Sequence, residues 1–143
     1  MLPERLKDIV EDFKFADGRE KIELLIDYSE RMPPLPDRIA QTRQEMEQVH
    51  ECITPVFVQA ELVGGGMHFY FDVPRESPTV RGFAAILSRG LDGSTPEQIL
   101  SIPNDFYHAM DLQTVLTMQR LNGFAAILAH VKRSASVALA KEP

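Results

Sequence analysis

The sequence predicts an α+β fold, a small antiparallel sheet built on a β-hairpin with helices packed mainly on one face. Three observations lead there. Apolar residues recur at helical spacing near the start of the chain, alternate one by one between residues 56 and 73, and return to helical spacing afterwards. The run Gly64-Gly65-Gly66 separates the two alternating stretches. Capping residues and prolines mark the starts of several helical stretches.

The elements follow in order. From Pro3 to Phe13, Leu6, Ile9, Val10 and Phe13 share one helical face, and Pro3 suits a first helical turn. A second helix begins at Asp17, which with Glu20 makes a capping box; Ile22, Leu25, Ile26 and Met32 are its apolar residues. Met32-Pro33-Pro34-Leu35-Pro36 breaks it into an extended segment. Asp37 to Glu47 is polar and fits either a short exposed helix or a loop. Val56, Val58, Ala60 and Leu62 then make one face of a half-buried strand, and Met67, Phe69, Phe71 and Val73 one face of another. The glycines between them take positive φ readily, so the pair reads as an antiparallel hairpin. Ser77-Pro78 starts a helix with Val80, Phe83, Ala84, Leu87 and Leu91 inward, ended by Asp92-Gly93. Thr95-Pro96-Glu97 starts a short helix through Leu100, another follows Pro103, and the last runs from about Thr117 to Ala135.

At 143 residues the chain has the size of one domain, 1–143, with no internal repeat and no linker to divide it. Hydrophobic residues at 44% and charged residues at 25% are the composition of a folded globular protein. A formal charge of −6 excludes a broad nucleic-acid or anionic-membrane surface, which would be basic. No apolar run approaches the roughly 20 residues of a membrane span. The N-terminus lacks a signal-peptide core, so a cytoplasmic location is expected. A single cysteine, Cys52, fits that compartment, because an unpaired thiol is better kept reduced.

Cys52 lies just before the first alternating strand, and Pro55 denies the backbone a donor there, so the segment is a loop tip or strand end. On the residues alone two readings stay open: a small buried hydrophobe, or a nucleophile. His50 and Cys52 do not complete a metal site, since no second cysteine or matching histidine spacing joins them. Nor do they make a protease dyad; a nucleophile alone implies no hydrolysis. His68, His108 and His130 are scattered and read as surface or satisfied polar residues. Asp72 and Glu76 flank the hairpin exit, where two carboxylates more commonly form a solvated turn than an acid–base couple. Gly64 to Gly66 precede no helix and no Lys-Ser/Thr pair, against a phosphate cradle. Phe57, Phe69, Tyr70 and Phe71 would stack bases only on a basic sheet; Glu61 and Asp72 among them favour core and cross-strand packing.

Several strings, in order along nearly the whole chain, resemble the SufE family and its CsdE relatives. These are small proteins that accept sulfur from a cysteine desulfurase during iron–sulfur cluster assembly. The family's Gly-Cys-x-Ser-x-Val-Trp appears as Glu51-Cys52-Ile53-Thr54-Pro55-Val56-Phe57. Its Asp-Ser-Asp-like string and Val-Lys-Gly-Leu appear as Pro74-Arg75-Glu76 and Val80-Arg81-Gly82-Phe83. Its Thr-Pro-x-x-Ile is Thr95-Pro96-Glu97-Gln98-Ile99, and its Leu-x-x-x-Arg-x-x-Gly runs from Leu116 through Arg120 to Gly123. Met32-Pro33-Pro34-Leu35 stands at the family's Leu-Pro-x-Leu. The departures are Glu51 for glycine, Thr54 for serine, Phe57 for tryptophan and Pro74 for the first aspartate.

The resemblance implies a SufE/IscU-like fold with Cys52 as the persulfide acceptor and Arg120 as a neighbour of its thiolate. Glu76 is the nearest acidic counterpart after the hairpin, and Arg81 a weaker candidate on the partner-facing side. It implies two partners, a desulfurase of the SufS/CsdA kind and a scaffold such as a SufBCD-type complex, and no cofactor or metal. The protein would be a sulfur-transfer partner and activator rather than a stand-alone enzyme. Only a thiolate attacks a persulfide, and an ordinary cysteine with a pKa of about 8.5 is a few per cent ionised near neutrality. A cation such as Arg120 would raise that fraction, and an inward Glu51 would lower it. With one cysteine the chain cannot resolve its own persulfide into an intramolecular disulfide. A carrier must also shield its cargo, so Cys52 is expected under cover, against Ile53, Val56 or Phe57, on a loop that swings out on docking. Two rival readings are a SufE-like binding module with a non-reactive cysteine and a cysteine-dependent hydrolase or redox enzyme; the latter lacks a fitting His/Asp arrangement or a resolving cysteine.

Overall fold

The computed structural model describes residues 2–141. Helix α1 (Glu4–Lys14) follows Pro3 and buries the face expected of it, Leu6, Ile9, Val10 and Phe13. Helix α2 (Gly18–Glu30) opens on the capping box: the Glu20 N–H donates to Asp17 Oδ1 at 2.8 Å, and the Asp17 N–H to Glu20 Oε1 at 3.1 Å. Its buried stripe differs from the expected one. Lys21, Leu25, Tyr28 and Ser29 face inward, while Ile26 is 37% exposed. Contact with the central helix is centred on Leu25, and the next residue is turned about 100° away from that line.

The ambiguous polar stretch divides into helix α3 (Asp37–Gln41), a 3-10 turn (Arg43–Glu45) and strand β1 (Glu47–Gln48). Strands β2 (Phe57–Val63) and β3 (Gly66–Asp72) form the expected hairpin. They pair from Phe57↔Asp72 to Val63↔Gly66, and β1 adds to the free edge of β2 through Glu47↔Val58 and Gln48↔Phe57. The sheet is thus three-stranded and antiparallel, in the order β1-β2-β3. At the hairpin turn Gly64 and Gly65 have φ of 58° and 83°, the left-handed pair that a two-residue hairpin loop requires. Met67, Phe69 and Phe71 of β3 point into the core, with Val73 just beyond.

Helix α4 (Pro78–Gly90) runs through the middle of the molecule. Phe83, Ala84, Ala85, Ile86 and Leu87 are all fully buried, which makes it apolar nearly all round, the pattern of an enclosed helix. It packs on β3 on one side and on α1 and α2 on others. At Gly82 a Cβ would stand 2.1 Å from the Leu25 carbonyl oxygen, so only glycine lets α4 and α2 approach so closely. Arg81 clasps the same junction: Nε donates to Ser29 O at 2.9 Å and Nη1 to Val73 O at 2.6 Å. It is an internal clamp holding α2 and the hairpin exit to α4.

Helix α5 (Pro96–Leu100) begins with a second capping box, Thr95 with Gln98. Two 3-10 turns follow (Phe106–Met110 and Leu112–Thr114), then helix α6 (Met118–Lys141), which extends past the expected end at Ala135. Helix α6 packs against α4, α5 and β2. Phe124 of α6 stacks on Phe83 of α4 with ring centroids 4.2 Å apart. Burying each such side chain contributes about 1.5–3 kcal/mol. Helices therefore cover one face of a small antiparallel sheet, as expected. No helix among the described residues is long and apolar enough to cross a membrane.

Candidate functional site

The chain leaves the sheet at Gln48 and returns to it at Phe57, and residues 49–56 form the loop between. Val49 and Val56 are buried and anchor both limbs in the core; the Val49 N–H donates to Val56 O at 2.9 Å and closes the base. The Cys52 N–H donates to Val49 O at 3.3 Å, which folds the tip back on itself. His50 and Glu51 face solvent. Ile53 at the tip is 77% exposed, whereas Cys52 beside it is only 9% exposed. The loop thus presents its apolar tip outward and tucks its thiol inward. Ile53 points outward because a side chain at the tip of a tight loop faces out when its neighbour faces in, and α6 lies against the thiol at Gly123.

Where Cys52 reaches α6 the helix carries glycine. A Cβ on Gly123 would stand 3.2 Å from Cys52 Sγ, closer than ordinary van der Waals contact. A small pocket of about 150 Å³ opens beside the sulfur, lined by Cys52, Ile53, Thr54, Val80, Gln119, Arg120 and Gly123. Arg120 Nη1 donates to Thr79 Oγ1 at 2.8 Å, which ties the start of α6 to the start of α4. Thr54 Oγ1 donates to Ser77 Oγ at 3.4 Å. The sequence places the Ser77 side chain as a cap of α4; it makes no such bond, and its hydroxyl meets the cysteine loop instead. Loop, α4 start and α6 start therefore converge on one thiol.

Burial pushes the Cys52 thiol above its ordinary range, and a hydrogen bond from the Thr54 backbone works the other way. Burial in this closed arrangement thus favours the protonated, less nucleophilic form of the thiol. Glu76 is exposed on the turn before α4 and does not line the pocket. Asp72 pairs with Arg43 of the 3-10 turn, so Asp72 and Glu76 form no carboxylate couple. His68 is bonded to Asp92 at 2.6 Å, His130 to Glu47 at 2.8 Å, and His108 is exposed. No group of three or more His, Cys, Asp or Glu residues that could hold a metal occurs among the described residues.

Sequence reasoning misses Gln119, Gly123 and Val80 as site residues. The signal is present for Gly123, since Arg120 and Gly123 belong to one string at i,i+3 spacing and share a helix face. A larger groove of about 390 Å³ lies between β2 and the C-terminal part of α6, with Glu47, Leu62, Arg133 and Val137 among its lining residues. Ser134 and Lys141 also line it, but the thiol does not, so its size does not make it the thiol's site.

Residues 7–135 match the family described as SufE: Fe-S metabolism associated domain. The chain belongs to the SufE family. An uncharacterised SufE-like protein of Mycobacterium tuberculosis is 38% identical over 133 residues, covering 92% of each chain. An uncharacterised SufE-like protein of Synechocystis is 32% identical over 124 residues, covering 86% of this chain and 75% of the relative. The solution structure of a hypothetical protein from Thermus thermophilus superposes with a TM-score of 0.86 at 38% identity, covering 99% of this chain and 100% of the other. Within this SufE chain, the lone cysteine stands on the loop between the first two strands, beneath the N-terminal turns of α6.

Proposed function

We propose that this SufE protein takes persulfide sulfur from a cysteine desulfurase onto Cys52 and passes it to an iron–sulfur assembly scaffold, stimulating the desulfurase as it does so. The observation that carries the proposal is the contrast at the loop tip: Ile53 is 77% exposed while the adjoining thiol is 9% exposed, beside a pocket of about 150 Å³. A partner can grip the tip and draw the sulfur out, and between encounters the sulfur is shielded. In the transfer, the Cys52 thiolate attacks the outer sulfur of the donor persulfide. A new S–S bond forms at Cys52, the donor's own S–S bond breaks, and its cysteine leaves as thiolate. Opening the loop removes the burial that raises the thiol pKa, so a larger fraction of Cys52 gives its proton to solvent and becomes the attacking thiolate. Arg120, on the pocket wall, is the cation to which the exposed thiolate or persulfide turns.

The test is intact-mass analysis after incubation with a desulfurase and cysteine. One added sulfur atom on the wild type and none on Cys52→Ser is the expected result; an unmodified wild type overturns the proposal. A second reading, a SufE-like protein-binding module with an inert cysteine, is favoured by the raised thiol pKa. It requires desulfurase binding and stimulation that survive Cys52→Ser unchanged.

A further inference from the structure

One buried polar group has no part in the proposed transfer. His130 lies on α6 two turns beyond Gly123, is 6% exposed, and shares a hydrogen bond between its Nε2 and Glu47 Oε2 at 2.8 Å. The Glu47 side chain is 70% exposed, and its carboxylate oxygen accepts from the imidazole Nε2–H. A buried imidazole without a partner is costly, which gives this bond its weight.

Its place in the fold gives the bond a purpose. Strand β1 is only Glu47 and Gln48, at the edge of the sheet, and the outgoing limb of the cysteine loop begins at the next residue. Among the described residues, no other side-chain hydrogen bond ties β1 to the rest of the protein. Helix α6 therefore touches this segment twice, at the tip through Gly123 under Cys52 Sγ and at the root through His130. Short edge strands are the first to fray. Without this bond β1 is held only by its pairing with β2 and by the buried Met46 and Val49 on either side.

We propose that Glu47 and His130 are positioning residues for Cys52, whose hydrogen bond fixes the root of the cysteine loop to α6 and so sets how readily the thiol is uncovered. The purpose assigned to this restraint rests on the sulfur-carrier reading, whereas the restraint itself does not.

Alkylation of Cys52 by N-ethylmaleimide in the full chain, with no desulfurase present, reads the restraint directly. Glu47→Ala and His130→Ala should each speed alkylation on the order of five-fold, the effect of losing one such hydrogen bond. The double variant should be no faster than the faster single one. His130→Gln, whose amide can donate from near the Nε2 position, should return the rate towards that of the wild type. An unchanged rate in Glu47→Ala overturns the proposal, and so does His130→Gln reacting as fast as His130→Ala, which would mean that the imidazole only fills space. Glu47→Ala alters an exposed side chain and decides the matter even if His130→Ala fails to fold. The two readings fail separately. A wild type that takes up no sulfur, together with faster alkylation of Glu47→Ala, removes the carrier and keeps the restraint; sulfur uptake with unchanged alkylation does the reverse.

Discussion

The backbone of Gly123 and the sulfur of Cys52 are so close that a Cβ on residue 123 would stand 3.2 Å from Sγ. Gly123→Ala therefore has to push the sulfur or its loop outward. Alanine gains up to about 1 kcal/mol of helix propensity at this position, which offsets a mild overpacking cost. We expect an almost unchanged Tm but several-fold faster Cys52 alkylation, read by thermal unfolding and maleimide kinetics on the same preparation.

The thiol's pKa sets a pH signature. Burial raises it above the ordinary value, against the hydrogen bond from the Thr54 backbone. The pH midpoint of wild-type alkylation should lie above that of a small-molecule thiol and fall towards it in Gly123→Ala. Linkage carries the same sign: the folded state holds the proton more tightly than the unfolded chain. Stability relative to Cys52→Ala is thus fully present below the ordinary thiol pKa and lost as pH rises through the raised one. Urea unfolding of both proteins across that window checks it.

Ile53 is 77% exposed at the loop tip. Ile53→Asp should leave the unfolding free energy within about 0.5 kcal/mol of wild type, as surface changes do. If the tip is where the desulfurase grips, the same variant raises the KM for the SufE protein in a sulfide-release assay and alters kcat less.

Arg120→Ala removes the bond from Nη1 to Thr79 Oγ1 and the cation on the pocket wall. The side chain is exposed, so the stability loss should stay near 0–1 kcal/mol. Sulfur uptake by Cys52, followed by intact mass over time, should slow far more than stability falls.

Arg81→Met makes the opposite prediction. Two carbonyls, Ser29 O and Val73 O, lose a charged donor in a half-buried place. A loss of about 1–3 kcal/mol is expected, with Cys52 chemistry unaffected in the fraction that remains folded. Denaturant unfolding and alkylation together separate the two effects.

Sequence patterning reveals most of the fold because its main elements carry strong periods. The hairpin is legible in the alternation from Val56 to Val73 and in Gly64-Gly65, and α4 in its apolar stripe and Ser77-Pro78 start. Strand β1 is not legible, since two polar residues carry no period and pair only because β2 offers them an edge. Ile26 misleads because its spacing fits a helix face, but the choice of face is made by α4 through Leu25 and Gly82. At the site, Cys52 and Arg120 can be named from their strings, and the pocket includes both. Which elements cover the thiol depends on contacts between residues 52 and 123, a separation at which local patterning carries no information.

The hairpin turn and the cysteine loop lie at opposite ends of β2, about 20 Å apart at the usual rise per strand residue. Chain inserted at Gly64-Gly65 would therefore project from the end remote from the reactive sulfhydryl. A fluorophore attached by maleimide chemistry has a single address in this molecule, so a tag on the turn and a dye on the loop make a matched pair for watching another protein arrive.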